Sequence, residues 1–244
     1  MKEALKDFIK RRLQYHLDKL DKLFDKDELA YLSSHCKNEQ QIRDRIAWEL
    51  HKDITQNPDY GDLYVVRREW APKPREKKDK RRVDLAILEM ESNKMSVKKA
   101  IALIEFKAHS IARPERSFYC YEFQKDVGKM LELKVADNNV ASCKDAALFF
   151  VFLETGQSEE AMAYESILAY SSYQKQYNNC VYCKGAQDKN YLDAIKSHWK
   201  EFNQGKYKVD AIKPFEIPEP KAICIGEAYG YKQYLSPWLI GPLE

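Results

Sequence analysis

The sequence has 244 residues, of which 44% are hydrophobic and 32% are charged, and its formal net charge at pH 7 is +3. A chain of this length can bury one sizeable core, and its modest charge excludes a uniformly basic surface without excluding a locally basic one. The six cysteines are too irregularly spaced for a small secreted scaffold, and the charged start lacks the apolar core of a signal peptide, so we expect a cytoplasmic protein without a membrane span.

The N-terminal segment 2–25 predicts one long amphipathic helix. Its apolar residues recur at helical spacing: Leu5, Ile9, Leu13, Leu17, Leu20 and Phe24. This stripe requires a cover, which is either the core of the same domain or a second copy in a homodimer. We expect a single domain over 1–244, with the first helix in 1–30, a core in 38–155 and a helical and strand elaboration in 156–244.

A second helix is predicted over 38–54, with Asn38 as a plausible cap. Its inner face is lined by Ile42, Ile46, Leu50 and Ile54. Glu49 lies on the flank of this face, because it is seven residues from Ile42 and three from Ile46. It is therefore either an acidic residue turned toward a site or a flanking surface residue. A strand at 62–70 follows.

The connection at 73–82 is strongly basic, and Pro72 and Pro74 keep it extended. Its cations are Lys73, Arg75, Lys77, Lys78, Lys80, Arg81 and Arg82. A charge run of this kind is usually a solvated loop, but this one leads directly to Asp84. We therefore favour phosphate contacts, made by Lys77, Lys78, Lys80, Arg81 and Arg82.

The segment 82–109 predicts a hairpin of two strands, VDLAILE and AIALIEFKA, joined by a polar turn. In an antiparallel hairpin, the residue numbers of two directly opposite residues always have the same sum. A hairpin centred inside the polar turn therefore places Asp84 opposite Glu105. Lys107 lies two residues further along and therefore on the same face. Two facing carboxylates repel each other, which indicates a cation between them unless an ion-pair network gathers these groups.

A helix is predicted at 117–135 and a strand at 146–154, which is apolar on both faces and therefore central in a covered sheet. Gln124 lies near the edge of the inner face of this helix and would point toward the end of the sheet. Further helices and a last strand at 221–229 follow. The predicted order from residue 38 is thus helix, three strands, helix, strand.

Asp84, followed by Glu105-Phe106-Lys107 at the end of the next hydrophobic strand, resembles the motif of the PD-(D/E)XK nuclease superfamily, which includes many restriction and repair endonucleases. Val83 stands where the family has proline. The resemblance covers 38–155. It implies an α/β fold with a restriction endonuclease-like core, in which helices flank a central mixed sheet in the order α-β-β-β-α-β. Additional helices are expected at the N-terminus and in the C-terminal third.

The resemblance also implies a catalytic site. Asp84, Glu105 and the backbone carbonyl of Phe106 are expected to hold Mg²⁺, with Mn²⁺ as a substitute. Lys107 is expected to position the attacking water or to stabilise the charged transition state. Glu49 corresponds to the acidic residue that the helix before the first strand often supplies to the metal. Gln124 corresponds to the polar residue that the later helix often offers to the nucleic acid.

The leading hypothesis is therefore a metal-dependent endonuclease that hydrolyses phosphodiester bonds, with DNA as the expected substrate and a restriction enzyme as one form. Two alternatives stay open. The chain is either a catalytically silent nuclease-like module that binds nucleic acid or a protein partner, or a nuclease effector that a ligand or a partner activates.

Overall fold

Six strands form one mixed sheet within the residues that the structure describes. The structure is a computed structural model, and it describes residues 2–35, 38–72, 82–92, 96–110, 126, 128–134, 141–157 and 222–243. The strands are β1 (Tyr64–Trp70), β2 (Val83–Met90), β3 (Val97–Ser110), β4 (Ala147–Gly156), β5 (Ile223–Ala228) and β6 (Tyr231–Leu243). Their order is β1-β2-β3-β4-β6-β5, with β3 and β4 parallel and the other neighbours antiparallel. The predicted α/β class with a mixed sheet is confirmed.

Four helices precede β1 in the described residues, namely α1 (Lys2–Leu17), α2 (Leu20–Leu23), α3 (Glu28–Ser34) and α4 (Asn38–Thr55). The prediction of one helix over 2–25 is wrong. The first helix ends at Leu17, where the Lys19 N–H donates to the His16 carbonyl three residues back (3.3 Å) and tightens the last turn. No helix within these described ranges has the length and the apolar composition that crossing a membrane requires.

The apolar stripe of the N-terminal segment is buried in the chain's own core. Five of its residues are at most 1% exposed: Leu5, Ile9, Leu13, Leu17 and Leu20. They belong to the same apolar cluster as the inner face of α4 and one face of the sheet. Of the two covers considered for this stripe, the core of the same domain is confirmed.

The two faces of the sheet carry separate apolar cores. On the first face, α1 and α4 pack against alternate residues of β2 and β3, such as Leu85 and Ile104. On the second face, the helical segment 128–134 contributes Met130, Leu131 and Leu133 to a cluster with Leu103 and Phe150. Strand β4 is buried on both faces, as predicted for 146–154.

Strand β6 is an element that the sequence analysis does not predict. It lies between β4 and β5 and therefore belongs to the centre of the sheet. Its pairing with β5 covers only 231–235, and from Ser236 onward it pairs with β4 alone among the described strands. Pro237 falls in this singly paired part, where proline is tolerated because one side of the strand needs no ladder donor. The C-terminal prolines thus do not break the strand.

A largely buried ion pair ties α1 to α4. The Arg12 guanidinium donates to both oxygens of Asp53 (2.7 and 2.6 Å), and His16 Nε2 lies 2.6 Å from Asp53 Oδ2. Burial alone would raise the pKa of Asp53, but the hydrogen bonds with Arg12 and His16 outweigh it and lower that pKa. The charged carboxylate therefore holds the two helices together.

We expect Asp53→Asn to lower the free energy of unfolding at pH 7 by about 1–3 kcal/mol, which is the usual size for hydrogen bonds to charged groups. Folding lowers the pKa of Asp53, so its stabilisation is present above the pKa of the unfolded chain and is lost as the pH falls through the folded value. Chemical denaturation from pH 7 down to about pH 3 measures the difference. Asp18→Asn, at an exposed position just beyond α1, is the control. A difference that did not change with pH would contradict the ion-pair explanation.

Candidate functional site

The β2–β3 hairpin brings Asp84 and Glu105 together. Leu85 pairs with Ile104, so the next two residues outward face each other in the predicted register. Each carboxylate accepts a backbone hydrogen bond from the other strand. The Phe106 N–H donates to Asp84 Oδ2 (2.8 Å), and the Asp84 N–H donates to Glu105 Oε1 (3.3 Å). Each carboxylate is therefore fixed by the backbone of the partner strand.

Glu105 is a buried carboxylate, only 3% exposed. Burial raises its pKa well above the ordinary value, and the negative charges of Asp84 and Asp126 raise it further, whereas Lys129 lowers it. Desolvation and like charges both disfavour the ionised form. A cation beside Asp84 and Glu105 would relieve this cost, so the pair has the electrostatic character of a cation site.

Four alternating charges connect the end of β3 to the neighbouring helical segment. Lys107 Nζ lies 2.8 Å from Asp126 Oδ2, Lys129 Nζ lies 3.3 Å from Asp126 Oδ1, and Lys129 Nζ lies 2.6 Å from Glu105 Oε1. Asp126 and Lys129 are three residues apart and therefore share one side of the helix. We call Lys107, Asp126, Lys129 and Glu105 the ion-pair chain.

The ion-pair chain determines the charge state of Lys107. Burial alone would lower the pKa of this ammonium, but Asp126, Glu39 and Glu105 outweigh burial and raise the pKa above its ordinary value. Lys107 is therefore protonated at neutral pH. A protonated ammonium is no general base, so its chemical role at this site is that of a fixed positive charge.

Helix α4 brings an acidic residue to the site, and this residue is Glu39. Its Oε2 accepts a hydrogen bond from the Ala108 N–H (2.9 Å), next to Lys107. Burial raises the pKa of Glu39, and the charges of Lys107, Asp84 and Arg43 all act on it. Glu39 therefore lies within the electrostatic field of the site.

Glu49, which the sequence analysis assigned to the metal, lies elsewhere. It is ten residues further along α4 than Glu39, which is about 15 Å along the helix axis. Its carboxylate pairs with Lys52 (2.6 Å), on the part of α4 that faces α1. The structure therefore does not bring Glu49 to the site, in contrast to the prediction. Helical periodicity identified the correct helix, but it did not show which end of that helix lies beside the site.

On the other side of Asp84, Arg43 of α4 connects it to Glu69 of β1. The Arg43 guanidinium contacts Glu69 and lies 3.3 Å from Asp84 Oδ1. Glu69 stands opposite Asp84 in the register, and its φ of 49° is in the left-handed region, which is unusual for a non-glycine residue in a strand. Arg43 also contacts Asp44, whose charge is balanced by Arg68 (2.6 Å). Asp84 is thus held by the backbone of β3 and by Arg43 of α4, and Arg43 is held in turn by Glu69 of β1.

The remaining predicted residues are mostly outside the described ranges. Arg82 is described and is exposed directly before β2. Lys77, Lys78, Lys80 and Arg81 of the basic connection lie outside the described residues, and so does Gln124. Phe106 is described, and its side chain is buried in the core on the face opposite Glu105.

The described part of the site carries an excess of negative charge. Its carboxylates are Glu39, Glu69, Asp84, Glu105 and Asp126, and its cations are Arg43, Lys107 and Lys129. If all eight side chains are ionised, five carboxylates against three cations leave two negative charges, but the raised pKa of Glu105 favours its protonated form and reduces this excess. Mg²⁺ commonly uses one or two carboxylates and several waters, and Asp84 and Glu105 are ligands of this chemical type. Within the described ranges, no group of three or more His, Cys, Asp or Glu side chains is spaced to hold a metal.

Comparisons of the chain with protein-family models, with curated proteins and with solved structures gave no match.

Several residues of the site are not found from the sequence. Asp126 and Lys129 carry a weak signal, because they are three residues apart on the helix that contributes Met130 to the core. Glu39 lies in the first turn of α4 and resembles an ordinary helix-start acid. Glu69 carries no signal, because its left-handed backbone conformation is set by tertiary contacts.

We expect Glu105→Gln to maintain or raise the free energy of unfolding in EDTA. Folding raises the pKa of Glu105, so the native state favours the protonated form, and the wild type loses stability relative to the variant as the pH rises toward the folded value. Chemical denaturation between about pH 5 and about pH 8 measures this trend.

Glu89→Gln, on the same hairpin, is the matched control. Burial would raise the pKa of Glu89, but Lys98 and Lys99 outweigh it and lower that pKa, so its removal should cost stability at neutral pH. An equal loss of stability in both variants would show that Glu105 is an ordinary ion-pair residue.

Proposed function

We propose that the protein is a metal-dependent nuclease that hydrolyses phosphodiester bonds, with DNA as the expected substrate. The observation that carries this proposal is the reciprocal pair of Asp84 and Glu105. Two carboxylates exchange backbone hydrogen bonds just beyond the Leu85–Ile104 pair of the β2–β3 ladder, although their charges repel and one of them is buried. A cation is the natural partner of such an arrangement.

The order of the elements supports a restriction endonuclease-like core. Helix α4, strands β1, β2 and β3, the helical segment 128–134 and strand β4 follow the order α-β-β-β-α-β of the PD-(D/E)XK superfamily. The residues that match the family's motif, Asp84 and Glu105-Phe106-Lys107, lie on the second and third strands of this order. In this proposal α1, α2, α3, β5 and β6 are additions to the core.

In the proposed reaction, Asp84, Glu105 and the backbone carbonyl of Phe106 hold Mg²⁺, for which Mn²⁺ can substitute. The bound metal lowers the pKa of a coordinated water and screens the scissile phosphate. The chain's own contribution is positional and electrostatic. Lys107 remains charged and stabilises the negative charge that develops on the phosphate. Glu39 orients this end of β3 through the Ala108 N–H, and Arg43 orients Asp84.

A second candidate function is a nuclease-like module that binds nucleic acid or a protein without cleaving it. The observation that favours it is the contact of Lys129 with Glu105, since an internal cation already neutralises one of the two carboxylates. The two functions differ in one measurable property. The enzyme requires a divalent metal at Asp84 and Glu105, and the binding module does not.

We expect Asp84→Asn, Glu105→Gln and Lys107→Ala each to abolish Mg²⁺-dependent cleavage. The two carboxylate changes should also weaken Mn²⁺ binding measured by calorimetry, whereas Lys107→Ala should spare it because an ammonium is not a metal ligand. The substrates are supercoiled plasmid, linear duplex, single-stranded DNA and RNA, each incubated with Mg²⁺ or with EDTA.

Two matched variants test the geometry of this site. Glu39→Gln should reduce cleavage, and Glu49→Gln, on the same helix but paired with Lys52, should leave it near the wild-type rate. If the wild type cleaves no nucleic acid under any metal, or if Asp84→Asn and Glu105→Gln bind Mn²⁺ as the wild type does, the binding module replaces the nuclease.

The basic connection yields a separate prediction. Changing Lys77, Lys78, Lys80, Arg81 and Arg82 to Gln should weaken binding to all nucleic-acid sequences alike. It should also reduce the slope of log affinity against log salt by about 0.9 units for each duplex phosphate that the variant no longer neutralises. Binding is measured in Ca²⁺ over a series of salt concentrations. An unchanged slope would identify the connection as a solvated loop.

A further inference from the structure

Among the described residues, Lys129 makes the shortest ion pair to either carboxylate of the Asp84–Glu105 pair. Its Nζ lies 2.6 Å from Glu105 Oε1, and both side chains are largely shielded from solvent, with exposures of 19% and 3%. The neighbouring core residues Met130 and Leu131 are almost fully buried, so the backbone that carries this lysine is anchored by packing. The Lys129 side chain therefore supplies the positive charge that the buried Glu105 requires in the absence of a metal.

An ammonium and a divalent metal compete for this carboxylate. A Mg²⁺ ion would lie about 2.1 Å from the oxygens that bind it, whereas Lys129 Nζ already lies 2.6 Å from one oxygen of Glu105. Two cations this close repel strongly in a region of reduced dielectric. Binding of a metal to Asp84 and Glu105 would thus drive the ammonium away from Glu105.

A second partner for the displaced ammonium is already in position. Asp126 Oδ1 lies 3.3 Å from Lys129 Nζ and is the next carboxylate after Glu105 along the ion-pair chain. The flexible four-carbon stem of lysine allows Nζ to move this short distance without a change in the backbone. Asp126 also holds Lys107, so the movement would gather both ammonium groups around one carboxylate.

We propose that Lys129 is an internal counter-ion that a divalent metal displaces from Glu105, and that Asp126 then holds the displaced ammonium beside Lys107 as a second positive charge for the substrate phosphate. This inference rests on the proposed nuclease function. Lys129 would first neutralise the metal-free site, and it would then contact the substrate once the metal is bound.

The test compares the affinity for Mn²⁺ of three lysine variants by calorimetry without nucleic acid, at mildly alkaline pH. Lys129→Met removes the competing cation and should tighten Mn²⁺ binding about tenfold. Lys107→Met removes the same charge from the site but contacts Asp126 and not Glu105, so it should change the affinity much less. Lys129→Arg keeps the charge and can hold Glu105 with two hydrogen bonds, so it should weaken Mn²⁺ binding several-fold.

The arginine variant separates displacement from a general effect of charge. If the net charge of the site alone sets the Mn²⁺ affinity, Lys129→Arg should bind Mn²⁺ as the wild type does. The two methionine variants should then bind it equally well. Either result would overturn the proposal. Because Lys129→Arg preserves an ion pair with Glu105, it keeps the test valid even if Lys129→Met does not fold.

The same measurements distinguish this inference from the proposed nuclease. If the wild type binds Mn²⁺ through Glu105 but the Lys129 variants do not differ from it, the counter-ion inference fails and the nuclease stands. If Lys129→Met binds Mn²⁺ and the wild type does not, the metal does not displace Lys129 in this protein, so the inference fails and the wild type is a binding module. If neither binds Mn²⁺, both proposals fail.

Discussion

The site depends on the register at which β2 and β3 meet. With Leu85 opposite Ile104, the next residues outward are Asp84 and Glu105, and each carboxylate accepts a backbone N–H at the end of the ladder. A slip of one residue between the strands would turn one of these two side chains to the opposite face, against the apolar core beneath α1 and α4. The apolar alternation of the two strands excludes that shift, so the packing of the hairpin and the position of its carboxylates have the same cause.

The fixed carboxylates require compensation, because desolvation makes an ionised group at this position unfavourable. Three elements supply it: α4 contributes Arg43, β3 contributes Lys107 and the helical segment 128–134 contributes Lys129. Among the described residues, these cations do not balance the five carboxylates of the site. Paired charges that are buried add little to stability, because desolvation offsets their attraction. In the proposed function, a bound cation would offset the negative charge that these three side chains leave unbalanced.

The pairing of Asp84 with Glu105 could be predicted because it follows from a period of two and the position of a turn. The position of an acidic residue on α4 could not, because helical periodicity defines a face and not the end of the helix that meets the strand ends. Glu49 satisfies the periodicity, but Glu39 reaches Ala108. Strand β6 is not predicted from the sequence. It contains Pro237, a residue that is disfavoured in strands, at a position where β6 pairs with β4 alone among the described strands. These differences arise from tertiary placement, which local sequence patterns do not encode.

Glu69 has a backbone conformation that is unusual for a non-glycine residue in a strand. A left-handed conformation costs a non-glycine residue about 1–3 kcal/mol, and it persists only where surrounding contacts impose it. Here the contact is with Arg43, which also holds Asp84, so the strain on β1 and the orientation of Asp84 are parts of one arrangement. Glycine at this position would relieve the strain but would free Arg43 from Glu69. The strained glutamate thus holds the guanidinium that also contacts Asp84, so the conformation of β1 and the position of Asp84 are coupled through Arg43.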